Sequence, residues 1–271
     1  MIEKIEDMVL KLKSAKPVVL SLTNYVTMDF VANALLALGA APIMSVCDDE
    51  LEELIAISSS LNINIGTLNQ AFIDRCHKAV VLAKRHSVPV VLDPVGSGAS
   101  RIRTQTARAL LKLASIVRGN ASEIISLYED SGKTLGVESI NSTDEAKEKA
   151  TQLAKQYRCT VIASGPVDFI TDGNREALVH YGSALMPLVT GMGCALTAVV
   201  AAFRGVMDDS FESARLATSY FGMCGQSVGT QTKAPGTFRL GFVDALHMAN
   251  CFKEFTRQPD VRSFDEDRVL C

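Results

Sequence analysis

The chain runs to 271 residues with a formal net charge of −3, which removes the basic footprint that nucleic-acid binding needs. With 48% hydrophobic residues but no tryptophan, it has apolar surface for one sizeable α/β core, read as a single domain over 1–271. It has no stacking platform for bases. No apolar run reaches the roughly 18–20 residues that span a bilayer.

From the N-terminus, Met1-Ile2-Glu3-Lys4-Ile5-Glu6-Asp7 is charge-laced and resembles neither a secretory signal nor a transit peptide. Residues 17–22 read as a strand and Met28–Leu38 as a helix. Strand-like runs at 42–46, 62–66, 88–93 and 115–118 then alternate with helical patterns at 48–60, 70–86 and 104–113. That alternation predicts βαβ units on a mostly parallel sheet covered on both faces. Residues 129–155 form the most polar stretch, with Ser142-Thr143-Asp144-Glu145 matching a capping box. Three closely spaced strands follow at 159–164, Asp168–Thr171 and 177–181, the last two joined by the hairpin signal Asp172-Gly173-Asn174. They predict an antiparallel edge. Residues 190–255 read as largely helical.

Seven cysteines (Cys47, Cys76, Cys159, Cys194, Cys224, Cys251, Cys271) form no C-x-x-C pair and show no zinc spacing. Buried thiols in a reducing compartment are the simplest account, which predicts a cytoplasmic protein.

The segment with most chemical content is Val189-Thr190-Gly191-Met192-Gly193-Cys194, which opens onto the apolar run from Ala195 to Phe203. Free N–H groups at a helix start bind anions, and glycine lets a phosphate approach the backbone. Cys194 falls in the first turn, where a thiolate is favoured. Read alone, the motif fits a glycine turn feeding a buried helix with a packed cysteine before it fits an anion site.

In open α/β sheets ligands collect beyond the carboxyl ends of the strands. Polar and turn residues recur there: Asn24, Ser45, Gly66, Asp93, Arg118 to Glu123, and Ser164-Gly165. Asp93 reads as a carboxylate near Mg²⁺ or as a turn aspartate before Pro94. Asn120 and Glu123 read as a helix cap or as part of a metal–phosphate network. Arg118 reads as a phosphate ligand or as a surface ion pair. Ser131-Gly132-Lys133-Thr134 is not a P-loop, because Leu127 stands where the first glycine is needed.

The ordered set Leu22-Thr23-Asn24-Tyr25-Val26-Thr27, Asn64-Ile65-Gly66-Thr67-Leu68, Val91-Leu92-Asp93-Pro94-Val95-Gly96, Arg118-Gly119-Asn120-Ala121-Ser122-Glu123 and Val189 to Cys194 resembles the hydroxyethylthiazole kinase family, from about Val18 to about Ala249. The resemblance implies a ribokinase-like α/β fold. It implies transfer of the γ-phosphoryl group of ATP, with Mg²⁺, to the hydroxyl of 4-methyl-5-(2-hydroxyethyl)thiazole in thiamine biosynthesis. It also implies a homotrimer with substrate sites between subunits. By resemblance, Asn24, Val26, Met44, Gly66 and Gly191 form the thiazole pocket. Arg118, Ser164 and Asn120 contact ATP, with Ser164 standing where the family carries threonine. Glu123 and Asp93 belong to the metal. Gly191, Gly193 and Cys194 form the anion hole, with Cys194 beside the acceptor hydroxyl. The readings that compete are a ribokinase-like kinase for a pyrimidine or pyridoxal alcohol, and a nucleotide-binding regulator with vestigial catalysis.

Overall fold

Alternation along the strands divides the apolar side chains between two cores. Val19, Val91, Ile116, Ile162 and Ile170 face one way. Leu20, Leu22, Leu61, Ile63, Leu92, Val117, Val161 and Phe169 face the other. Period-two burial on both faces requires helices on both sides of the sheet. The computed structural model of the protein describes residues 1–128 and 143–249.

In chain order the elements are α1 (Ile2–Ala15), β1 (Val18–Leu22), α2 (Met28–Leu38), β2 (Ala41–Ile43), α3 (Leu51–Ala56), β3 (Ser60–Asn64), α4 (Gln70–Arg85), β4 (Val90–Asp93) and α5 (Arg101–Leu111). They continue with β5 (Ile116–Asn120), α6 (Ala121–Tyr128), α7 (Thr143–Tyr157), β6 (Thr160–Ser164), β7 (Asp168–Thr171) and β8 (Glu176–Val179). A short 3₁₀ turn (Met186–Leu188) leads into α8 (Met192–Arg204), α9 (Ser210–Gln231) and α10 (Pro235–Met248). The eight strands form one sheet in the order β2-β1-β3-β4-β5-β6-β7-β8. Pairing is parallel from β2 through β6 and antiparallel from β6 to β8. Both the parallel sheet and the antiparallel edge expected from the sequence are present. The β7–β8 turn is tied by Asp172 Oδ1, which accepts from the N–H groups of Asn174 and Arg175, with Gly173 at φ +91°.

The stretch from β2 to β3 differs from the expectation. β2 stops at Ile43 rather than continuing to residue 46, because it is an edge strand with β1 as its one partner, and the Ser45 Oγ turns the chain by accepting from the Cys47 N–H. α3 is six residues long, not the thirteen implied by 48–60. Ser59 N–H already pairs with Val18 O, so the chain is extended before Ser60. β3 lies at Ser60–Asn64 rather than 62–66, and it ends where Asn64 Oδ1 captures the Gly66 N–H. Ser142 of the expected capping box, the Ser131–Thr134 segment, and the tail with Cys251 and Cys271 lie outside the described residues.

The face of α9 that carries Gly222, Gly225 and Gly229 packs directly beneath 181–186. A Cβ on Gly222 would come within 2.7 Å of the Tyr181 carbonyl oxygen, and one on Gly225 within 2.6 Å of Met186 Sδ. Bare backbone on α9 therefore lets the chain between β8 and α8 lie close against it.

Candidate active site

The carboxyl ends of β1, β3, β4, β5 and β6 converge on the start of α8. Gly191 is the N-cap at φ +93°, and a Cβ there would sit 3.0 Å from the Thr27 side chain. An L side chain would be strained and crowded at once. A Cβ on Gly193 would lie 2.5 Å from Arg118 Nη1, so the guanidinium rests on the bare first turn of α8. Gly191 O accepts from the Ala195 N–H, while the N–H groups of Gly193 and Cys194 have no protein acceptor among the described residues. Unpaired amides, a helix N-terminus and an adjoining guanidinium make an anion site.

Arg118, in the middle of β5, donates from Nε to Ser164 Oγ at 2.9 Å. Both line a cavity of about 760 Å³, together with Asn120, Gly193, Thr218 and Phe221, and 181–184 form part of its wall. Asp168 closes the β6 end, accepting from the Gly165 N–H at 3.1 Å. Burial raises the pKa of Asp168, against the pull of its hydrogen bonds and of Arg118. One end of the cavity is thus cationic and amide-lined, and the remainder is largely apolar. That profile suits a triphosphate joined to a flat base.

Asn120 and Glu123 form a reciprocal cap on α6. Asn120 Oδ1 accepts from the Glu123 N–H at 2.9 Å, and Glu123 Oε2 accepts from the Asn120 N–H at 2.8 Å. Glu123 Oε1 also accepts from the Gly96 N–H at 2.8 Å. The carboxylate therefore joins the β4 and β5 loops by accepting from two backbone N–H groups.

Asp93 is buried at the end of β4. Its Oδ2 accepts from Asn64 Nδ2 at 2.7 Å and Thr197 Oγ1 at 2.9 Å, while Oδ1 has no partner among the described residues. Burial pushes its pKa up to about 6. The Arg118 charge opposes this and the Glu123 charge adds to it.

Cys194 is half-buried on the other side of the helix start. Burial and the Asp93 charge push its thiol upward, outweighing the polar side chains of Thr27, Asn24 and Asn64 beside it. The first turn of α8 was expected to favour a thiolate, but burial and the neighbouring Asp93 carboxylate oppose it.

The residues matched to the thiazole pocket fall in two groups. Asn24 and Gly66 touch, since a Cβ on Gly66 would lie 3.0 Å from the Asn24 side chain. Asn24 is buried, and both kinds of group on its amide are committed inside the protein. Nδ2 donates to Asn64 Oδ1 at 2.8 Å and to Cys194 Sγ at 3.4 Å, and Oδ1 accepts from the Thr27 N–H. Val26 stands at the rim, 71% exposed beside exposed Tyr25. Met44 follows β2 and packs against the core on the α8 side.

Three residues to which the sequence assigned no role hold this site together. Asn64 and Thr197 grip Asp93. Arg103, on α5, donates to the carbonyls of Ile65 and Val95 at 2.9 and 2.8 Å and to that of Gly66 at 2.9 Å. It staples the β3 loop to the β4 loop. Among the described residues no group of three or more His, Cys, Asp and Glu side chains is arranged to enclose a metal.

A doubly covered sheet with an anion cradle at a helix start, beside a nucleotide-sized cavity, defines a small-molecule kinase of the ribokinase-like class. Solved structures share this fold. The ADP complex of Bacillus subtilis pyridoxal kinase superposes with a TM-score of 0.59 at 16% identity over 77% of this chain and 91% of that one, a likeness of fold. The chain belongs to the hydroxyethylthiazole kinase family, whose model matches residues 9–251. A hydroxyethylthiazole kinase of Chlamydia caviae is 51% identical over 252 residues, 92% of this chain and 96% of the relative. That of Oleidesulfovibrio alaskensis is 42% identical over 91% of this chain and 93% of the relative. The structure of the hydroxyethylthiazole kinase protein from Pyrococcus horikoshii OT3 matches with a TM-score of 0.85 at 34% identity, over 91% of this chain and 93% of that one.

Proposed function

We propose that the protein, as a single kinase domain, transfers the γ-phosphoryl group of ATP to the hydroxyl of 4-methyl-5-(2-hydroxyethyl)thiazole, yielding the phosphate ester used in thiamine biosynthesis. The observation that carries this reading is the Arg118 guanidinium lying on Gly193 at the open first turn of α8, at one end of the nucleotide-sized cavity.

Arg118, held by Ser164, grips the ATP phosphates, with Asn120 at the same end. The Gly193 and Cys194 amides receive charge on the migrating group, in the manner of an anion hole closed by Gly191. The alcohol lies against Gly66 and Met44 beneath Val26, with its hydroxyl beside Cys194. Asn24 acts on it through the sulfur. Phosphoryl transfer passes through a loose transition state, so alignment and charge stabilisation matter more than a strong base. A neutral thiol held by an amide proton is compatible with that chemistry.

The residues fit Mg²⁺, which keeps several waters and binds through one or two carboxylates together with substrate phosphates. Asp93 has an unpartnered carboxylate oxygen, and Glu123 lies close enough to bear on its charge. These two would hold the ion, which when bound neutralises phosphate charge.

We also assign the protein to a homotrimer with its sites between subunits, and to the cytoplasm. Exposed Tyr25 and Val26 at the rim, with Leu188 64% exposed ahead of α8, supply apolar surface for a neighbouring subunit. No helix among the described residues is long and apolar enough to cross a membrane. Light scattering on the purified protein is expected to give three times the monomer mass.

The deciding experiment is ADP release from ATP with the thiazole alcohol present and absent, set beside pyridoxal and a pyrimidine alcohol. Release with the thiazole alcohol above the other acceptors is expected. Equal release without any acceptor, or preference for another alcohol, overturns the reading.

A further inference from the structure

Asn64 stands where the two halves of the site meet. It is the last residue of β3, opposite Asp93 in the strand register, and it is buried. Its Nδ2 donates to Asp93 Oδ2, and its Oδ1 accepts from Asn24 Nδ2 and from the Gly66 N–H. An ionised carboxylate only accepts, so the Asn64 amide has one permitted orientation. That orientation dictates the next one: Asn24 turns its nitrogen toward Asn64, which leaves its remaining amide proton for Cys194 Sγ. The Thr27 N–H bonds the other end of the Asn24 amide and agrees with this direction. The result is a buried relay with a fixed sense from Asp93 to Cys194.

We propose that Asn64 is the positioning residue that ties the phosphate half of the site, at Asp93, to the acceptor half, at Asn24, Gly66 and Cys194. It acts through those residues, not on substrate. The proposal deepens the kinase reading above and rests on it. It sets the distance between donor and acceptor groups by a single side chain at the tip of one strand, where no loop motion intervenes. A displacement near 1 Å at a reacting centre costs about 10²-fold in rate, and that is the sensitivity the relay guards against.

The test uses Asn64→Leu, which keeps the side-chain volume, and Asn64→Ser, which avoids setting apolar atoms against Asp93 should the first variant fold poorly. Both are expected to lower kcat by about 10²-fold. The KM for ATP should stay within about threefold, because Arg118 and Ser164 do not touch Asn64. The double variant Asn24→Ala/Asn64→Leu is expected to be no slower than Asn24→Ala alone, as for residues acting in series. A second readout needs no turnover: the rate of Cys194 alkylation, followed on its own peptide, should move in both Asn64 variants. It should not move in Asn62→Ser, a control two residues back on β3 whose one side-chain bond is to Ser21. Wild-type kcat in the Asn64 variants, multiplicative effects of Asn24 and Asn64, or an equal loss in Asn62→Ser overturns the proposal. If the wild type shows no acceptor-dependent ADP release, the kinase reading falls, and the alkylation rates still judge the relay.

Discussion

At the residue scale, Asp93 shows a conflict between stability and function. Its folded-state pKa is raised from 3.8 to about 6 by burial. Between those values the folded chain holds a proton that the unfolded chain has released, so stability falls as pH rises through this window and is level above it. The penalty at neutral pH is on the order of 3 kcal/mol. Asp93→Asn is therefore expected to melt higher than the wild type at pH 8, with the gap closing by pH 4, and to be inactive. An unchanged melting profile would show that the carboxylate carries no such strain. Cys194 makes the complementary case. Because its thiol is pushed upward, Cys194→Ala is expected to lower kcat by no more than about 10²-fold, the lower edge of general-base effects. A larger loss would restore a base role to the sulfur.

At the scale of elements, the start of α8 and the middle of β5 form one unit. Arg118→Ala is expected to raise the KM for ATP at least tenfold, on the order of 1.4 kcal/mol of binding, while the thiazole KM stays close to wild type. Steady-state kinetics with each substrate varied checks this. The glycines at 191 and 193 were readable from the sequence because an anion cradle needs both. Asp93, Ser164 and Cys194 stood out because each lies at the end or start of an element with a clear periodic pattern, and Arg118 because a charge interrupts an apolar strand; the boundaries of α2 and β7 emerged from the same patterns. The β2–β3 stretch was not legible. Its local pattern is apolar over residues that turn, and the turn is made by side-chain bonds of Ser45 and Asn64 that periodicity cannot reveal. The roles of Asn64, Thr197 and Arg103 stayed hidden for a related reason. Their importance comes from strand register and from contacts far along the chain, such as the bond from Thr197 to Asp93 across 104 positions.

At the scale of the whole molecule, the sheet separates two cores that serve different ends. The side with α3, α4, α5, α6 and α7 is apolar down to its strand contacts. On the opposite side β3 presents Ser60, Asn62 and Asn64, all buried, toward α8. Carrying so much polar surface inside a core costs stability unless each group finds a partner, and it leads directly to the catalytic end of the sheet. The glycine face of α9 has a different outcome. Three missing methyl groups set how near the ceiling of the nucleotide chamber can come to its floor. Gly222→Ala, which drives a carbon into the Tyr181 backbone, should tilt that ceiling and weaken nucleotide affinity while the alcohol still binds. The gauge by which this enzyme measures its phosphate donor would then lie in the side chains that α9 lacks.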